Sequence, residues 1–519
     1  MTISSESIQK LATNRNLRSA TTYDSNIWIR PSEWLSIPDL TGQQRFAGIH
    51  RIDIDSNLVA LTAAGAYTVD WGDGTSTNHA SGTTAQKNYD YTTISSTGES
   101  TLGYRQVLIQ VYPQSGQNLT SLNLAVRHSA TSSGYASGWL DVSVNGSNLT
   151  SLIFSSSTVT ARYLQRATVL QHNLTSTAVM FQACLTLQSV PLFNTASVTN
   201  MSGMFDLCRS LRSVPLFNTA SVTSMATMFN GCNSLQSVPL FNTASVNNMN
   251  AMFNGCSSLR SVPLFNTVSV TNMNSMFINC SSLLSIPRFN TALVNNMANM
   301  LQNCTNLQSI PLLNTSSVNT MSGIVSGCPA LKSFPLLNTA SVTNMLSMFQ
   351  GCSSLKSVPL LNTSLVTNMT SMFQSCTCLE SVPLFNTVSV TNMSNMFNGC
   401  NSIISIPLFN TTSVTNVLQA FSNCGALASL PSLNLSAISS AANINNFILG
   451  CNSLSSVGCT GINQTVSFAN CKLSAAQINN IFTNLSSTGT GKTITVTGNY
   501  GAATCTPSIA TAKGWTVVQ

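Results

Sequence analysis

Sixteen cysteines, thirteen carboxylates and four histidines are the residues of this 519-residue chain that could hold a metal, cleave a bond or move a proton. Eleven cysteines, Cys184 to Cys424, recur every 24 residues. Stacked repeats would set neighbouring thiols near the ~4.8 Å spacing of strands. That distance suits a disulfide, but side chains stacked in parallel do not suit its dihedral, so the column reads as free thiols in a buried apolar row. Cys376 and Cys378 form a C-x-C pair in which Cys378 replaces the serine of most repeats. All four histidines (His50, His79, His128, His172) precede the regular repeat, so no Cys/His zinc set is available within it. A glycosidase needs two carboxylates about 5–9.5 Å apart. Residues 181–450 hold only Asp206 and Glu380, about 34 Å apart at the strand spacing, too far to share one bond. Asp70 and Asp73 could touch a metal, but within "WGDG" they are read as turn residues. No phosphate loop, nucleophile elbow or HExxH motif is present. Neither a cofactor nor a catalytic residue is expected.

The element that carries these residues is a repeat. Proline recurs at 24-residue steps from Pro191 to Pro431, in phase with the cysteines and without one insertion. Such a period marks a solenoid in which each coil buries its apolar edge on its neighbours. Recurrent proline and the lack of a heptad exclude a coiled coil. The columns headed by Leu235, Val238, Phe241, Val246, Met249, Met252 and Phe253 stay apolar and are assigned to the core. The Leu240 column admits Arg288 and Ser432 and is expected to be half exposed. The Gln236 column, with Arg212, Arg260, Lys332, Lys356 and Glu380, is expected to face water. Within a coil, "SVPLF" reads as extended, "ASVTNM" as a parallel strand and "MNAMFNGC" as one helical or 3₁₀ turn. The invariant Asn194 column reads as a turn residue. Eleven coils make a rod of roughly 50 Å, and "NLTSLNL" and "NLTSLIF" at 118 and 148 read as degenerate earlier coils. The expected fold class is mainly β with short helical turns, a solenoid of 24-residue coils.

Composition narrows the function. Only 6% of residues are charged, against roughly 25% in ordinary domains. The net charge of +7 is dispersed, with no basic run to track phosphates, so nucleic acid is not an expected partner. No stretch reaches the ~20 apolar residues of a membrane span, and the first residues lack the apolar core of a signal peptide. Assembly in a reducing cytosol is therefore expected.

"SLQSVPLFNTASVTNMNAMFNGC" resembles the BspA-like leucine-rich repeats, in their Mycoplasma-type version with "VTNM" and "MFxGC". That resemblance covers about 180–450 and implies a leucine-rich-repeat solenoid that serves adhesion or recognition without catalysis. "YTVDWGDGTSTNHASG", from Tyr67 to Gly82, resembles the core of a PKD-type β-sandwich. The segment around "WIRPSEWLSIPDL" resembles tailed-phage virion proteins, and the C-terminal "LSAAQINNIFTNL" region resembles caps of such solenoids. Four regions are expected: 1–115 for attachment with the sandwich, 116–180 for irregular coils, 181–450 for the regular solenoid and 451–519 for a cap. The expected protein is a phage tail fibre, adhesin or surface decoration, multimeric on the particle. Its partners would be other virion subunits and a host glycan or protein. A purely architectural virion component, a bacterial surface adhesin and a glycan depolymerase are the alternatives. Arg212, Arg260, Arg288, Lys332 and Lys356 are the candidate binding residues, a sparse basic track for anionic glycans whose other role would be to keep the rod soluble.

Overall fold

The computed structural model describes residues 28–519 except 55–56, 97–98, 132–134 and 489. The chain divides into two compact units, Met1–Ser32 and Glu33–Gln519. Of the first, only 28–32 are described; the rest of the expected attachment region's start lies outside the described residues.

The second unit begins with strands β1 (Arg45–Ile52), β2 (Leu58–Ala64), β3 (Tyr67–Asp70), β4 (Ser76–His79), β5 (Thr84–Asn88) and β6 (Arg105–Pro113). The short strands β7 (Ser121–Asn123), β8 (Tyr135–Ala136), β9 (Trp139–Asn145), β10 (Ser151–Ile153), β11 (Val159–Thr160) and β12 (Arg166–Val169) follow. One sheet has the order β12-β9-β1-β6-β3-β4 and a second β10-β7-β2-β5. Phe46, Val69 and Ile109 of the first share one buried cluster with Leu61 and Ala85 of the second. The pairing changes sense where the coils begin. β9 is antiparallel to β1 but parallel to β12, and β7 is antiparallel to β2 but parallel to β10. The two "NLTSL" segments thus start the parallel stacking on sheets that the sandwich already provides.

"WGDG" is a turn, as expected. Gly72 and Gly74 have positive φ, and Asp70 Oδ1 accepts from the Gly72 N–H at 3.0 Å. A Cβ on Gly72 would lie 2.4 Å from the Leu108 carbonyl, so no other residue fits there. Asp73 accepts from the Thr75 N–H and hydroxyl and pairs with Lys87 at 2.6 Å. Trp71 is buried, and its indole N–H donates to Thr77 Oγ1 at 2.8 Å.

From residue 175 the coils repeat, and their core columns are those expected: Leu235, Phe241, Val246, Met249, Met252, Phe253 and Cys256 are all buried. Two local readings differ. The "ASVTNM" segment is no continuous strand; it makes one parallel bridge per coil, running Asn200, Ser224, Asn248, Asn272 and onward to Asn416. A turn closed by the Val198 N–H on the Thr195 carbonyl blocks extension on one side, and the next turn blocks it on the other. The "MNAMFNGC" segment is not a helical turn but a string of β-turns. Met252 and Cys256 donate to the carbonyls three residues back, while Ala251, Phe253 and Gly255 donate to Asn274, Met276 and Ile278 of the next coil. Ala251 (φ 51°) and Gly255 (φ 75°) are left-handed, which breaks any helix. The turns 249–252 and 253–256 each join residues three apart, so the apolar side chains keep their inward spacing. Short 3₁₀ helices stand outside the regular coils, at Tyr91–Thr93, Ala441–Asn443 and Ala502–Thr504. The chain closes with a helix, Ala475–Thr483, and a parallel three-stranded sheet that ends at Val518. This is a leucine-rich-repeat solenoid with a β-sandwich at its start.

Candidate recognition face

The regular coils turn one side chain outward at the same place, leucine in nine of eleven. In "SVPLF", the Phe217 N–H donates to the Pro215 carbonyl at 2.9 Å, and the same two-residue closure recurs at Phe241, Phe265, Phe289 and Phe409. This tight γ-type turn places Leu216 at its apex while Val214 and Phe217 go inward. The result is a row of nine leucines, Leu192 to Leu408, each 50–63% exposed and interrupted only by Arg288.

Behind this row lie three hydrogen-bond ladders. Asn194 Oδ1 accepts from the Ala196 N–H at 3.1 Å, an Asx turn repeated at Asn218, Asn242 and onward to Asn434. Thr195, beside it, is buried, and its hydroxyl donates to the Asn218 carbonyl of the next coil at 2.8 Å. That bond recurs coil by coil to Thr411. The threonine ladder was legible as the "NT" pair that recurs from Asn194 to Thr411, but threonine's ordinary place on surfaces hid its burial. The third ladder is the thiols. Cys208 Sγ donates to the Phe181 carbonyl of the preceding coil at 3.1 Å, as do the following cysteines on their own preceding coils. Cysteine is thus both small and apolar enough for the interior and able to satisfy a second lone pair there. All sixteen cysteines are free. Burial pushes the column's pKa values up, to about 12 at Cys280 and Cys376, so these thiols are neutral and unreactive. In the C-x-C pair Cys376 is buried and Cys378 exposed, so the two do not converge on one metal.

The five basic candidates occupy two columns. Arg212, Arg260, Lys332 and Lys356 are exposed in the column four residues before the leucine row. Arg288 stands in the row itself and donates Nε to the Leu312 carbonyl at 3.1 Å. Lys356 pairs with Glu380 of the next coil at 3.0 Å. The five therefore share one face without forming a continuous cationic stripe. The solenoid's other acid, Asp206, is held by Gln182 at 2.8 Å and Asn230 at 2.7 Å, away from that column. At the sandwich end the row opens into a groove of about 480 Å³ lined by Leu170, Leu192, Leu216, Asn194 and Asn218. Arg212 belongs to the coil of Leu216. Such an arrangement offers apolar contact, amide hydrogen bonds and scattered positive charge. Among the described residues no group of three or more His, Cys, Asp or Glu could hold a metal ion.

No curated protein matches the chain. Among solved structures, a leucine-rich repeat protein from Eubacterium ventriosum is 13% identical, covering 58% of this chain and 90% of that one at a TM-score of 0.28. Drosophila Toll, in its complex with Spatzle, is 12% identical over 68% of this chain and 48% of that one, with a TM-score of 0.25. This chain thus spans about half of the Toll chain. A leucine-rich repeat protein of T. pallidum is 12% identical, covering 58% and 90% at a TM-score of 0.11. One family model, described as "Mycoplasma protein of unknown function, DUF285", matches residues 175–285, 229–335, 258–360 and 329–434. These matches overlap to cover 175–434, half of the chain, and the protein therefore belongs to this DUF285 repeat family.

Proposed function

We propose that this protein is a non-enzymatic surface-recognition protein of a tailed-phage particle, projected on its solenoid and mounted through its N-terminal region. The observation that carries the recognition reading is the contrast between two neighbouring exposed columns. The Gln236 column drifts among Gln, Arg, Leu, Lys, Glu, Ile and Ala, while the equally exposed Leu240 column keeps leucine in nine of eleven coils. Water alone would reward the reverse, since a contiguous apolar strip on a surface marks a contact site. Weak contacts repeated along a stiff scaffold add through multivalency. The groove at Leu192 and Leu216, with Arg212 in the coil of Leu216 and Arg260 two coils further on, suits an anionic host-surface glycan, with leucines meeting the apolar faces of sugar rings. The resemblance of the N-terminal "WIRPSEWLSIPDL" segment to virion proteins supports the phage setting.

The test is adsorption of the purified chain to susceptible bacteria and to their acidic surface polysaccharide, with block of infection as the second readout. Arg212→Ser with Arg260→Ser is expected to weaken adsorption about tenfold, and the loss should shrink as salt screens exposed charge. Firm attachment to other virion subunits without adsorption would establish the architectural role instead. Release of reducing sugar from that polysaccharide would overturn the non-enzymatic reading.

A further inference from the structure

The interruptions of the leucine row are placed symmetrically. Arg288 stands three coils before Leu360 and Ser432 three coils after it. Between them lie Leu312, Leu336, Leu360, Leu384 and Leu408, each at least half exposed. The neighbouring column has a matching symmetry of charge, for Lys332 lies one coil before Lys356 and Glu380 one coil after it. Lys356 shares the coil of Leu360. We propose that this face binds a second copy of the same chain, antiparallel, about a two-fold axis through the Leu360 coil.

A two-fold contact presents the same patch twice, so it must be self-complementary. This axis sets Leu312 against Leu408, Leu336 against Leu384 and Leu360 against its own copy. Arg288 falls opposite Ser432, so neither polar interruption is pressed against a leucine. Lys332 falls opposite Glu380 of the partner subunit, and the reverse pair forms as well. Lys356 meets its own copy at the axis, the one like-charge approach, and each Lys356 is already paired with Glu380 at 3.0 Å. Each carboxylate would then stand between two ammonium groups.

Spacing favours a second copy over other occupants. Both rows advance by the same ~4.8 Å per coil, so side chains that interlock at one level interlock at all of them. A helix, with a pitch of about 5.4 Å, drifts out of step within a few turns. The area suffices. Seven coils from Arg288 to Ser432 span about 34 Å, and the exposed columns from Gln236 to Asn242 span about 18–20 Å. That is on the order of 600–650 Å² per copy, at the lower end of stable complexes, which bury about 1,200–2,000 Å² in total. Leu192, Leu216, Arg212 and Arg260 lie outside this stretch, so the glycan groove and the dimer face can act together or fail separately.

Sedimentation of the full chain without any host surface tests the idea. The wild type should sediment as a dimer at micromolar concentration and Leu360→Glu as a monomer with unchanged circular dichroism. Lys332→Glu should weaken association about tenfold or more, and adding Glu380→Lys should restore it, because like charges across a contact are costly and swapped pairs are not. A wild type that stays monomeric overturns the proposal. So does a dimer indifferent to Leu360→Glu, or one that Leu216→Glu, outside the face, dissociates equally well.

Discussion

Phe334 packs edge-on against Phe349, with ring centroids 4.8 Å apart and an angle of 86° between their planes. Elsewhere the Phe253 column is a stack: Phe205, Phe229, Phe253 and Phe277 lie 5.6–5.7 Å apart and nearly parallel. The stack breaks where Leu301 and Val325 replace phenylalanine and resumes from Phe349 to Phe373. Phe334 stands where neighbouring coils have valine or isoleucine. The large ring at 334 is thus expected to compensate for the smaller Val325 in the other column. Val325→Phe alone should overpack the site and destabilise by about 1–3 kcal/mol. Phe334→Val alone should open a cavity at a cost of about 2 kcal/mol. The double variant should be more stable than the sum of the two costs implies, in a double-mutant cycle followed by denaturant unfolding. Simple additivity would reject the exchange.

The buried threonine ladder makes a second expectation. Thr243→Val keeps the shape but leaves the Asn266 carbonyl without the hydroxyl that now reaches it at 2.7 Å. Losing that partner inside the protein should cost about 1–3 kcal/mol. Thr271 makes a comparable bond between coils, its hydroxyl donating to the Asn247 carbonyl at 3.2 Å, but that bond is exposed to water. Thr271→Val should therefore lose less than half as much. Thermal melts of both variants make the comparison, and equal effects would remove the special role of the buried row.

Left-handed backbone predicts a gain. Thr227 has φ of 54° although it is β-branched, while Gly203 and Gly323 occupy the same place in other coils. A side chain there costs roughly 1–2 kcal/mol, of which glycine's extra chain entropy recovers only part. Thr227→Gly should therefore raise the melting temperature slightly, by the equivalent of about 0.5–1 kcal/mol. Gly255→Val, at φ of 75°, should lower it. A drop in both would show that the turns are not strained.

The thiol column predicts alkaline sensitivity. Burial raises these pKa values, to about 12 at Cys280, Cys328 and Cys376. An unfolded thiol loses its proton near pH 8.5, so between there and about 12 the folded state holds more protons. Stability is then intact below about pH 8.5 and falls as pH rises, by up to about 1.4 kcal/mol per pH unit for each buried thiol. Melting temperature measured from neutral to alkaline pH should fall steeply. A native chain should give its fastest equivalent with a thiol reagent at exposed Cys378, with half-buried Cys505 reacting more slowly, and Cys378→Ser should abolish the fast phase. Rapid reaction of several cysteines at neutral pH would contradict the buried ladder.

The leucine and phenylalanine columns were readable because a 24-residue period aligns like positions, and a position that stays apolar through eleven coils is inside whatever its local backbone does. The same alignment separated Gln236 from its buried neighbours. It misled about "MNAMFNGC", because turns of three residues and a helical turn of 3.6 give nearly the same inward spacing. Only the left-handed φ at Ala251 and Gly255, set by hydrogen bonds to the next coil, distinguishes them. The basic track shows the same limit. Arg212, Arg260, Lys332 and Lys356 align in sequence, but the ties of Arg288 to Leu312 and of Lys356 to Glu380 exist only between stacked coils.

Sequence by itself determined the period, the columns and hence the solenoid, since each depends on side-chain polarity repeated along the chain. Tertiary structure decided which residues serve the neighbouring coil: the Thr195 hydroxyl, the Cys208 thiol and the outward leucines of the γ-turns. The physical reason is that many of a coil's hydrogen bonds run to its neighbours, so its backbone conformation is selected jointly by its own turns and by the donors and acceptors that the coils on either side present.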